Sequence, residues 1–533
     1  MKKLLKKALA LTVALVTVAT CAFGLTACGG SKTEPNTIYV SVINKGYGNK
    51  WIDSLMKEFL NSDAKYANYK YDIVNSYDDD TTKTQVESGA AHCNYDLVFH
   101  AGGSNNIETE YLADLSSVYG MSYANGKLSD YMEDTVLALF KRGEKYYNIP
   151  WTSGGSGILV NYEVVSSKLG TNWQETYHCR TTEEFMTFID ALAQNGVTPF
   201  VITPNDHFYH PLYETWWAQY EGLTGVEDYY NARYTDVNGD VQEGPEAFLQ
   251  PGILQSLKVM EEIFKNESNY TVYGTSTAME TAYMQGKGAM IVNGSWMKNE
   301  QVDKNGYKAI DMRFIQTPVI SALGVKLGLS TAQEVKGEGG QADINYNITD
   351  ESKFIEVINY VDAVLNGETA SKPSGVQDSV IEEVMQARRM VYTELDYSNA
   401  CVPAYCDDKD VAIEFLKWMY SEAGQRQYAK AMNGLVLPVQ GSVAEDSSLQ
   451  TDDFTASHKS LTKNMIIFEA INEWKFAKTS LVPFTARNKQ KIEYLLSGKS
   501  GAQDLDTAWE LYNFNKTHYE EGNNWNLLLN AAK

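Results

Sequence analysis

The sequence has little positive charge and few cysteines, and both shortages limit what the protein can do. Its 533 residues contain 45 Lys and Arg against 68 Asp and Glu, so the formal net charge is −23. This negative excess repels phosphate backbones, which argues against nucleic acid as a partner. The six cysteines include no pair at CxxC spacing, so the sequence gives no indication of a metal–thiolate site.

Catalytic motifs and internal repeats are also missing. The sequence contains no GxSxG elbow, no P-loop and no GxGxxG after a predicted strand. It has no self-similarity at a period of 20 to 50 residues, which excludes a solenoid or a propeller. A chain of this length exceeds one ordinary hydrophobic core, so we expect two lobes.

A secretory signal is predicted at the N-terminus. Four lysines among residues 2–7 precede a mostly apolar run from Ala8 to Ala19, which is shorter than the roughly 20 residues needed to span a bilayer. Residues 25–28, Leu-Thr-Ala-Cys, resemble the bacterial lipobox. We therefore expect residues 1–27 to be a cleaved lipoprotein signal peptide. Cys28 would carry diacylglycerol, with palmitate as an acyl chain, and residues 28–36 would form a flexible tether.

This N-terminus predicts the location of the protein. No later apolar run is long enough to cross a membrane. We therefore expect the chain after Cys28 to lie on the extracellular face of the cell membrane, as in a surface lipoprotein of the Gram-positive type. Besides Cys28, four cysteines remain in the mature chain. Cys401 and Cys406 are spaced for a small disulfide loop, and free buried thiols are the alternative for all four, Cys93, Cys179, Cys401 and Cys406.

Three predicted strands end in loops of small and aromatic residues. The segments 37–43, 95–99 and 288–292 are rich in β-branched and apolar residues, and glycines follow each of them closely. A helix with apolar positions from Trp51 to Leu60 follows the first strand. This alternation of strand, glycine loop and helix predicts an α/β fold.

Other segments carry residues that mark where helices begin and end, or where a hairpin turns. Thr181 and Glu184 form a capping-box pattern, and Gly196 marks the end of that helix. Residues 236–240 predict an Asn-Gly hairpin turn rather than a calcium loop. The region 321–400 contains a long helical stretch around 380–395, and we interpret the region as an elaboration of the fold.

Several sequence blocks resemble extracellular solute-binding proteins of the maltose-binding-protein type, which serve carbohydrate ABC importers. The resemblance covers most of the mature chain, and it depends on the order and spacing of the blocks together with the lipobox. The four blocks are Gly46–Trp51, Ile149–Asn161, Gly286–Trp296 and Val402–Ala404.

The resemblance implies a two-lobe type II periplasmic-binding-protein fold, of class α/β, with an interdomain cleft and several hinge crossings. The predicted first lobe comprises residues 37–150 and 310–433, and the second comprises 151–309 and 434–533. The implied partners are a sugar, most simply an oligosaccharide, and the transmembrane subunits of an ABC permease. The implied protein is a monomer that has no cofactor and is not an enzyme.

The predicted ligand-binding residues come from the strand ends, the first crossing and one helix. In open α/β sheets, ligands bind outside the carboxyl ends of the strands. Sugars offer apolar faces and hydroxyl groups, which suit aromatic rings and polar side chains. On the helix, adjacent tryptophans face different directions, so we expect one in the core and one in the cleft. The full set is Tyr47, His100, Asn105, Trp151, Trp216, Trp217, Asn293 and Trp296, with Glu214 as a further polar candidate.

Two departures from the family leave alternatives open. Maltose-binding relatives have a carboxylate where this chain has Gly154, and the loop 102–105 lacks their acidic–basic pair, so the sugar is expected to differ from maltose. A peptide, polyamine or other solute on the same fold is the main alternative, and a surface glycoside hydrolase is a minor one. A metal at Asp206, His207 and His210 is disfavoured by their loose spacing.

Overall fold

The structure is a computed structural model, and it describes most of the chain after the predicted tether. The predicted signal peptide and Cys28 lie outside the described residues, as do Asn105, Asp206 and His207. The described ranges are 34–44, 46–76, 79–100, 107–203, 210–303, 309–335, 345–393, 398–449, 452–468, 474–476, 507–513 and 524–531.

Ten strands form two five-stranded sheets. The first sheet has the order β2-β1-β3-β10-β4 and the second has the order β7-β6-β8-β5-β9. The strands are β1 (Thr37–Ile43), β2 (Lys70–Ser76), β3 (Leu97–Phe99), β4 (Ile149–Pro150), β5 (Ser156–Asn161), β6 (Phe200–Ile202), β7 (Tyr270–Val272), β8 (Met290–Gly294), β9 (Met312–Phe314) and β10 (Asn399–Cys401).

Both sheets follow the same plan. In the first, β1 pairs in parallel with β2 and β3, and β10 runs antiparallel to β3 and β4. In the second, β6 pairs in parallel with β7 and β8, and β5 runs antiparallel to β8 and β9. In each sheet the strand inserted in the opposite direction is the one that arrives from the other sheet. The chain therefore crosses between two α/β lobes, and each lobe receives an antiparallel strand directly after a crossing.

Helices cover both sheets. They are α1 (Lys50–Asn61), α2 (Asp79–Glu87), α3 (Ser116–Tyr119), α4 (Asp134–Phe140), α5 (Tyr162–Leu169), α6 (Thr182–Gln194), α7 (His210–Tyr230), α8 (Pro251–Phe264), α9 (Ser276–Met284), α10 (Met297–Asp303), α11 (Ser321–Lys326), α12 (Ser352–Leu365), α13 (Asp378–Arg389), α14 (Lys409–Tyr420), α15 (Glu422–Ala431), α16 (Ser442–Glu445), α17 (Asp453–Thr462) and α18 (Asn524–Ala531). None of the described helices has the length and apolar character needed to cross a membrane.

The predicted local signals explain several of these elements. All seven residues of β1 are buried, as expected of a parallel strand covered on both faces. The N-cap of α6 is Thr181, whose hydroxyl accepts from Glu184 N at 3.2 Å. The Glu184 carboxylate accepts from Arg180 N at 2.8 Å. In a standard capping box the Glu184 carboxylate would accept from the N-cap residue Thr181. Here it accepts from Arg180 N, one residue earlier.

Within the described residues, two crossings between the lobes lie beside the segment 464–467. The first crossing is residues 151–155, and the second is residues 390–398, of which 394–397 lie outside the described residues. Ser156 N donates to Tyr392 O at 2.8 Å, and Val391 N donates to Ile466 O at 3.2 Å. The first crossing, the second crossing and the segment 464–467 therefore lie side by side.

The predicted lobe boundaries at residues 310 and 434 both differ from those in the structure. Strand β9 belongs to the second sheet, and α12 and α13 pack into the apolar core of that sheet, although 310–433 was assigned to the first lobe. After 434, Gln440 N still donates to Tyr131 O at 2.8 Å, whereas Phe454 packs on Phe314 of β9 at 5.4 Å between ring centroids. The chain therefore returns to the second sheet later than predicted.

Two smaller predictions are also resolved. Cys93, Cys179, Cys401 and Cys406 are free thiols, and the first three are buried. Burial raises the pKa of the Cys179 thiol to about 12, which keeps it protonated. The predicted turn at 236–240 closes an antiparallel hairpin between Arg233–Thr235 and Val241–Glu243. The hairpin interpretation is confirmed, and the thiols leave no small disulfide loop.

Candidate ligand-binding site between the lobes

The loops that follow β1 and β8 touch each other. The Tyr47 hydroxyl lies 2.5 Å from the Ser295 hydroxyl, and both residues are buried. Asn299 Nδ2 donates to Tyr47 O at 3.2 Å. Gly46 has φ +47°, and a Cβ atom there would lie 3.0 Å from Trp296 Cβ. Strand ends from the two sheets therefore converge on one place, as the topology predicts.

A directed set of hydrogen bonds joins this contact to the first crossing. The Ser295 hydroxyl donates to Gly154 O at 3.2 Å, so the Tyr47 hydroxyl is left to donate to Ser295. His458 Nε2 lies 2.5 Å from the same Gly154 oxygen, and it must donate because a carbonyl oxygen can only accept. We call Tyr47, Ser295, Gly154 and His458 the interlobe network. It links both sheets, the first crossing and α17.

Trp296 is the predicted aromatic residue best placed to meet a ligand. It is partly exposed at the end of β8, and its ring lies edge-on to Tyr47 at 6.2 Å between centroids. The other predicted site residues within the described ranges are buried. Trp296 therefore combines a position at the interlobe contact with partial exposure.

Trp151 and His100 are buried behind Tyr47 and do not line the site. Trp151 is 1% exposed and stacks on Trp51 at 5.0 Å with an interplanar angle of 13°. Its indole N–H donates to His100 O at 2.7 Å, and its ring meets the edge of Tyr47 at 5.3 Å. His100 is buried. The expectation that the Trp151 indole faces ligand is therefore replaced by a role in holding Tyr47.

Neither Trp216 nor Trp217 faces the cleft. Both are 0% exposed. The Trp216 indole N–H donates to Pro318 O at 3.0 Å, and that of Trp217 donates to Gln250 Oε1 at 2.7 Å. The expectation that one of them is open to ligand was wrong. Helix α7 is buried around its whole circumference from His210 to Tyr220, so opposite faces both meet protein.

The predicted polar candidates bond within the protein. Asn293 Nδ2 donates to Glu280 Oε1 at 3.1 Å, and its Oδ1 accepts from Gly294 N at 2.8 Å. Glu214 lies 3.1 Å from His210 Nδ1 in a fully buried pair. Asn293 thus shapes the β8 loop, and a direct contact between its amide and a ligand requires these bonds to change.

Sequence reasoning missed three residues of this site. Ser295 stood beside Trp296 and received no role, although its hydroxyl is the central member of the interlobe network. Asn299 lies on α10. His458 lies 304 positions from Gly154 along the chain. Only the lobe arrangement brings His458 to the crossing, and no local pattern predicts that.

Comparisons with known proteins agree with the topology. No protein-family model and no curated protein matches the chain. Three solved structures cover almost all of it: a chitin oligosaccharide binding protein (TM-score 0.53, 14% identity, 91% of this chain and 99% of that one), apo RafE from Streptococcus pneumoniae (0.54, 15%, 94% and 100%), and RafE with raffinose (0.52, 15%, 90% and 99%). The chain has the two-lobe solute-binding-protein fold. At these identities the likeness concerns the fold alone.

Within that fold, the interlobe network occupies the expected position of a ligand site. It sits where the carboxyl ends of β1 and β8 face each other, next to the first crossing. The described residues contain no group of three or more His, Cys, Asp or Glu side chains arranged to hold a metal ion. Among the described residues, the groups that meet at this contact are an aromatic ring, two hydroxyls, a backbone carbonyl and an imidazole, and the hydroxyls are buried and bonded within the network.

Proposed function

We propose that the protein is a lipid-anchored extracellular solute-binding protein that captures a sugar, of the oligosaccharide class, between its two lobes. It then delivers the sugar to the transmembrane subunits of an ABC importer and does not hydrolyse it. The observation that carries the proposal is the partly exposed Trp296 ring at the point where loops of both sheets meet. An aromatic ring flanked by hydroxyl groups suits a sugar, which has apolar faces and a hydroxyl rim.

Two further facts support this proposal. The solved structures with the same fold include proteins named for chitin oligosaccharide and shown with raffinose. The groups of the described residues that converge at the interlobe contact are uncharged, which suits a neutral polyol better than a polyamine or a peptide terminus. The anchor through Cys28 rests on the lipobox and the basic, apolar start of the sequence.

Calorimetric titration with a panel of neutral mono- and oligosaccharides tests the proposal, with peptides and polyamines as the contrasting panel. We expect saturable binding to one glycan series and unchanged glycan after long incubation. Trp296→Ala should weaken binding about fivefold or more, since stacking of a ligand on an aromatic ring contributes on the order of 1–3 kcal/mol.

Trp474 provides a matched control. It is also partly exposed, but it stacks on Tyr230 at 5.3 Å, at the far end of α7. Trp474→Ala should leave sugar affinity within about twofold of wild type, because that ring lies outside the interlobe contact. Binding only to peptides or amines would overturn the sugar assignment while keeping the fold. Equal losses of sugar affinity in Trp296→Ala and Trp474→Ala would refute the proposed stacking role of Trp296.

A further inference from the structure

A pocket lies beside the first crossing, and none of the residues of the interlobe network lines it. Its volume is about 350 Å³, and none of the predicted ligand-binding residues lines it. One wall comes from residues 131–136, which pack with the first sheet. Another part of the lining comes from α17, which packs on β9 of the second sheet, and residues 436–441 also line the pocket. We call it the crossing pocket.

The Ser153 hydroxyl in this pocket lacks a partner. Ser153 is 3% exposed, and its Oγ forms no hydrogen bond within the described part of the chain. A buried hydroxyl without a partner costs about 1–3 kcal/mol. Because Ser153 lines the crossing pocket, a ligand oxygen placed there would accept its hydrogen bond and offset this cost.

Two lysines give the pocket a positive side. Lys459 and Lys463 lie one turn apart on and just after α17, and neither has a carboxylate oxygen within 4 Å among the described residues. Partial burial, and then the charge of Lys463, lower the pKa of the Lys459 ammonium group. Like charges one helical turn apart repel each other, and the carboxylates of Glu445 and Asp446 act in the opposite direction on the pKa of Lys459. An anion between them would relieve that repulsion.

Most of the acidic groups nearby already have cationic partners. Glu133 pairs with Arg389 at 3.1 Å and accepts from Gln440 at 2.8 Å, and Asp446 pairs with Arg426 at 2.6 Å. Glu445 is the remaining carboxylate in the lining. Its charge, with that of Glu133, disfavours a polyanion in the same space. The balance therefore suits a ligand with a single negative charge.

The rest of the lining is apolar. Val136, Leu437, Val439 and Met465 are all buried and line the same space. A ligand that fills the crossing pocket therefore needs an apolar body as well as a charged end.

We propose that the crossing pocket binds a small organic monocarboxylate. The carboxylate accepts hydrogen bonds from the Ser153 hydroxyl and from the ammonium groups of Lys459 and Lys463, and the aliphatic or aromatic body packs on Val136 and Met465. The argument for this pocket does not use the sugar proposal, since none of the predicted ligand-binding residues lines it.

The test uses calorimetric titration of the purified protein with sodium benzoate, butyrate and hexanoate at fixed ionic strength. Benzamide and butyramide are the neutral counterparts of the same shape. We expect saturable binding of at least one acid and at least about tenfold weaker binding of its amide, because a charge-assisted hydrogen bond contributes about 1.5–3 kcal/mol. An amide that binds as tightly as its acid, or no saturable binding by any acid, would overturn the proposal.

Variants locate the binding. Lys459→Gln/Lys463→Gln should weaken carboxylate binding at least about tenfold, and Ser153→Ala should weaken it about three- to tenfold. The control Lys57→Gln/Lys168→Gln removes the same charge from exposed positions outside the pocket and should change affinity less than about twofold. Equal losses in the control would reduce the effect to overall charge and refute the site. The lysine variants keep the test decisive if Ser153→Ala fails to fold.

Discussion

The Tyr47 hydroxyl group is the first donor of the interlobe network, and a single substitution removes it. Tyr47→Phe keeps the ring that packs on Trp151 and Trp296 but loses the bond to Ser295. A hydrogen bond of this kind contributes a net free energy of about 0.5–1.5 kcal/mol. We expect the population of separated lobes to rise about two- to twelvefold, measured by single-molecule energy transfer between dyes at the exposed positions 57 and 168.

The Ser295→Ala variant completes a double-mutant cycle. It removes the acceptor for Tyr47 and the donor to Gly154 O together, so its effect should be at least as large as that of Tyr47→Phe. If the two residues act through one bond, the double variant should open no further than Ser295→Ala alone. Additive effects would mean that Tyr47 acts through a different contact.

At the residue scale, the sequence predicted the right kinds of side chain but not their directions. Trp296 and Tyr47 were expected at strand ends, and the structure brings them together. The same reasoning placed Trp151 and one of Trp216 and Trp217 on the cleft, and all three are buried. Aromatic residues serve cores and sugar sites equally well. Only the packing around α7 and the first crossing separates the two uses.

Among the elements, the first crossing depends on Gly155. This residue has φ +94°, and a Cβ atom there would lie 2.8 Å from Thr462 Cγ2 and 3.2 Å from His458 Nε2. Gly155→Ala should lower the free energy of unfolding by about 2–4 kcal/mol, from backbone strain and the clash together. Gly89→Ala has the strain alone, since φ is +78° and nothing lies within 4 Å, so about 1–2 kcal/mol is expected. Urea unfolding of both variants measures the difference, and equal losses would show that α17 simply moves aside.

Helix α17 adds a pH dependence through His458. Burial is the main cause that lowers the pKa of His458 from 6.5 to about 4, and the bond to Gly154 O opposes it only in part. Below pH 6.5 the unfolded chain therefore takes up a proton more readily than the folded chain does. The contribution of His458 to stability is complete above pH 6.5, falls by up to about 1.4 kcal/mol per pH unit on acidification, and levels off below about pH 4.

The variant His458→Gln isolates this contribution, because its amide can still donate to Gly154 O. Urea unfolding at pH 7.5, 5.5 and 4.5 should show the wild-type protein losing stability relative to the variant as the pH falls. A constant difference between the two proteins across that range would mean that His458 does not titrate on unfolding.

The bounds of an element were predicted well where both an apolar run and a clear end signal mark it. Where the end signal is ambiguous, the predicted bounds are shifted by a few residues. Strand β1 is buried along its whole length and is followed by a glycine turn, and its predicted bounds were confirmed. Strand β8 was expected at 288–292 and is Met290–Gly294. Its start was placed too early because Gly288 and Ala289 are small residues that fit a strand or a turn. A Cβ atom on Gly288 would lie 2.8 Å from Val201 Cγ1, which is close packing that the sequence does not reveal.

For the whole molecule, the two-lobe fold could be predicted, but the assignment of its middle could not. The order of the sequence blocks and the chain length indicate two α/β lobes. The short strand Met312–Phe314 carries no signal for which sheet it joins, and it pairs with β5 in the second. Helices α12 and α13 follow it there because their apolar faces complete the core around Phe185 and Trp216. Such long-range pairing is decided by tertiary packing rather than by local pattern.

The proposed anchor makes a prediction at the scale of the cell. Cys28→Ala should block lipid addition, so the protein should no longer be recovered as the diacylglyceryl-modified form in the membrane fraction. Cys21→Ala is the matched control, since Cys21 precedes the lipobox within the same predicted signal peptide. Metabolic labelling with a palmitate analogue, followed by membrane fractionation, measures both. Label on the Cys28 variant equal to that on the control would refute the anchor.

The burial of the tryptophans also determines how the protein responds to light. Five of the ten indole rings, Trp51, Trp151, Trp173, Trp216 and Trp217, are buried, so their emission should be blue-shifted and shielded from a dissolved quencher such as acrylamide. Four other partly exposed rings, Trp418, Trp474, Trp509 and Trp525, also pack on apolar cores. Trp296 alone stands at the meeting point of the two strand-end loops. A change in intrinsic fluorescence on addition of a solute should therefore come from Trp296 and from Trp151 and Trp51 behind Tyr47, and the change should be reduced in Trp296→Ala.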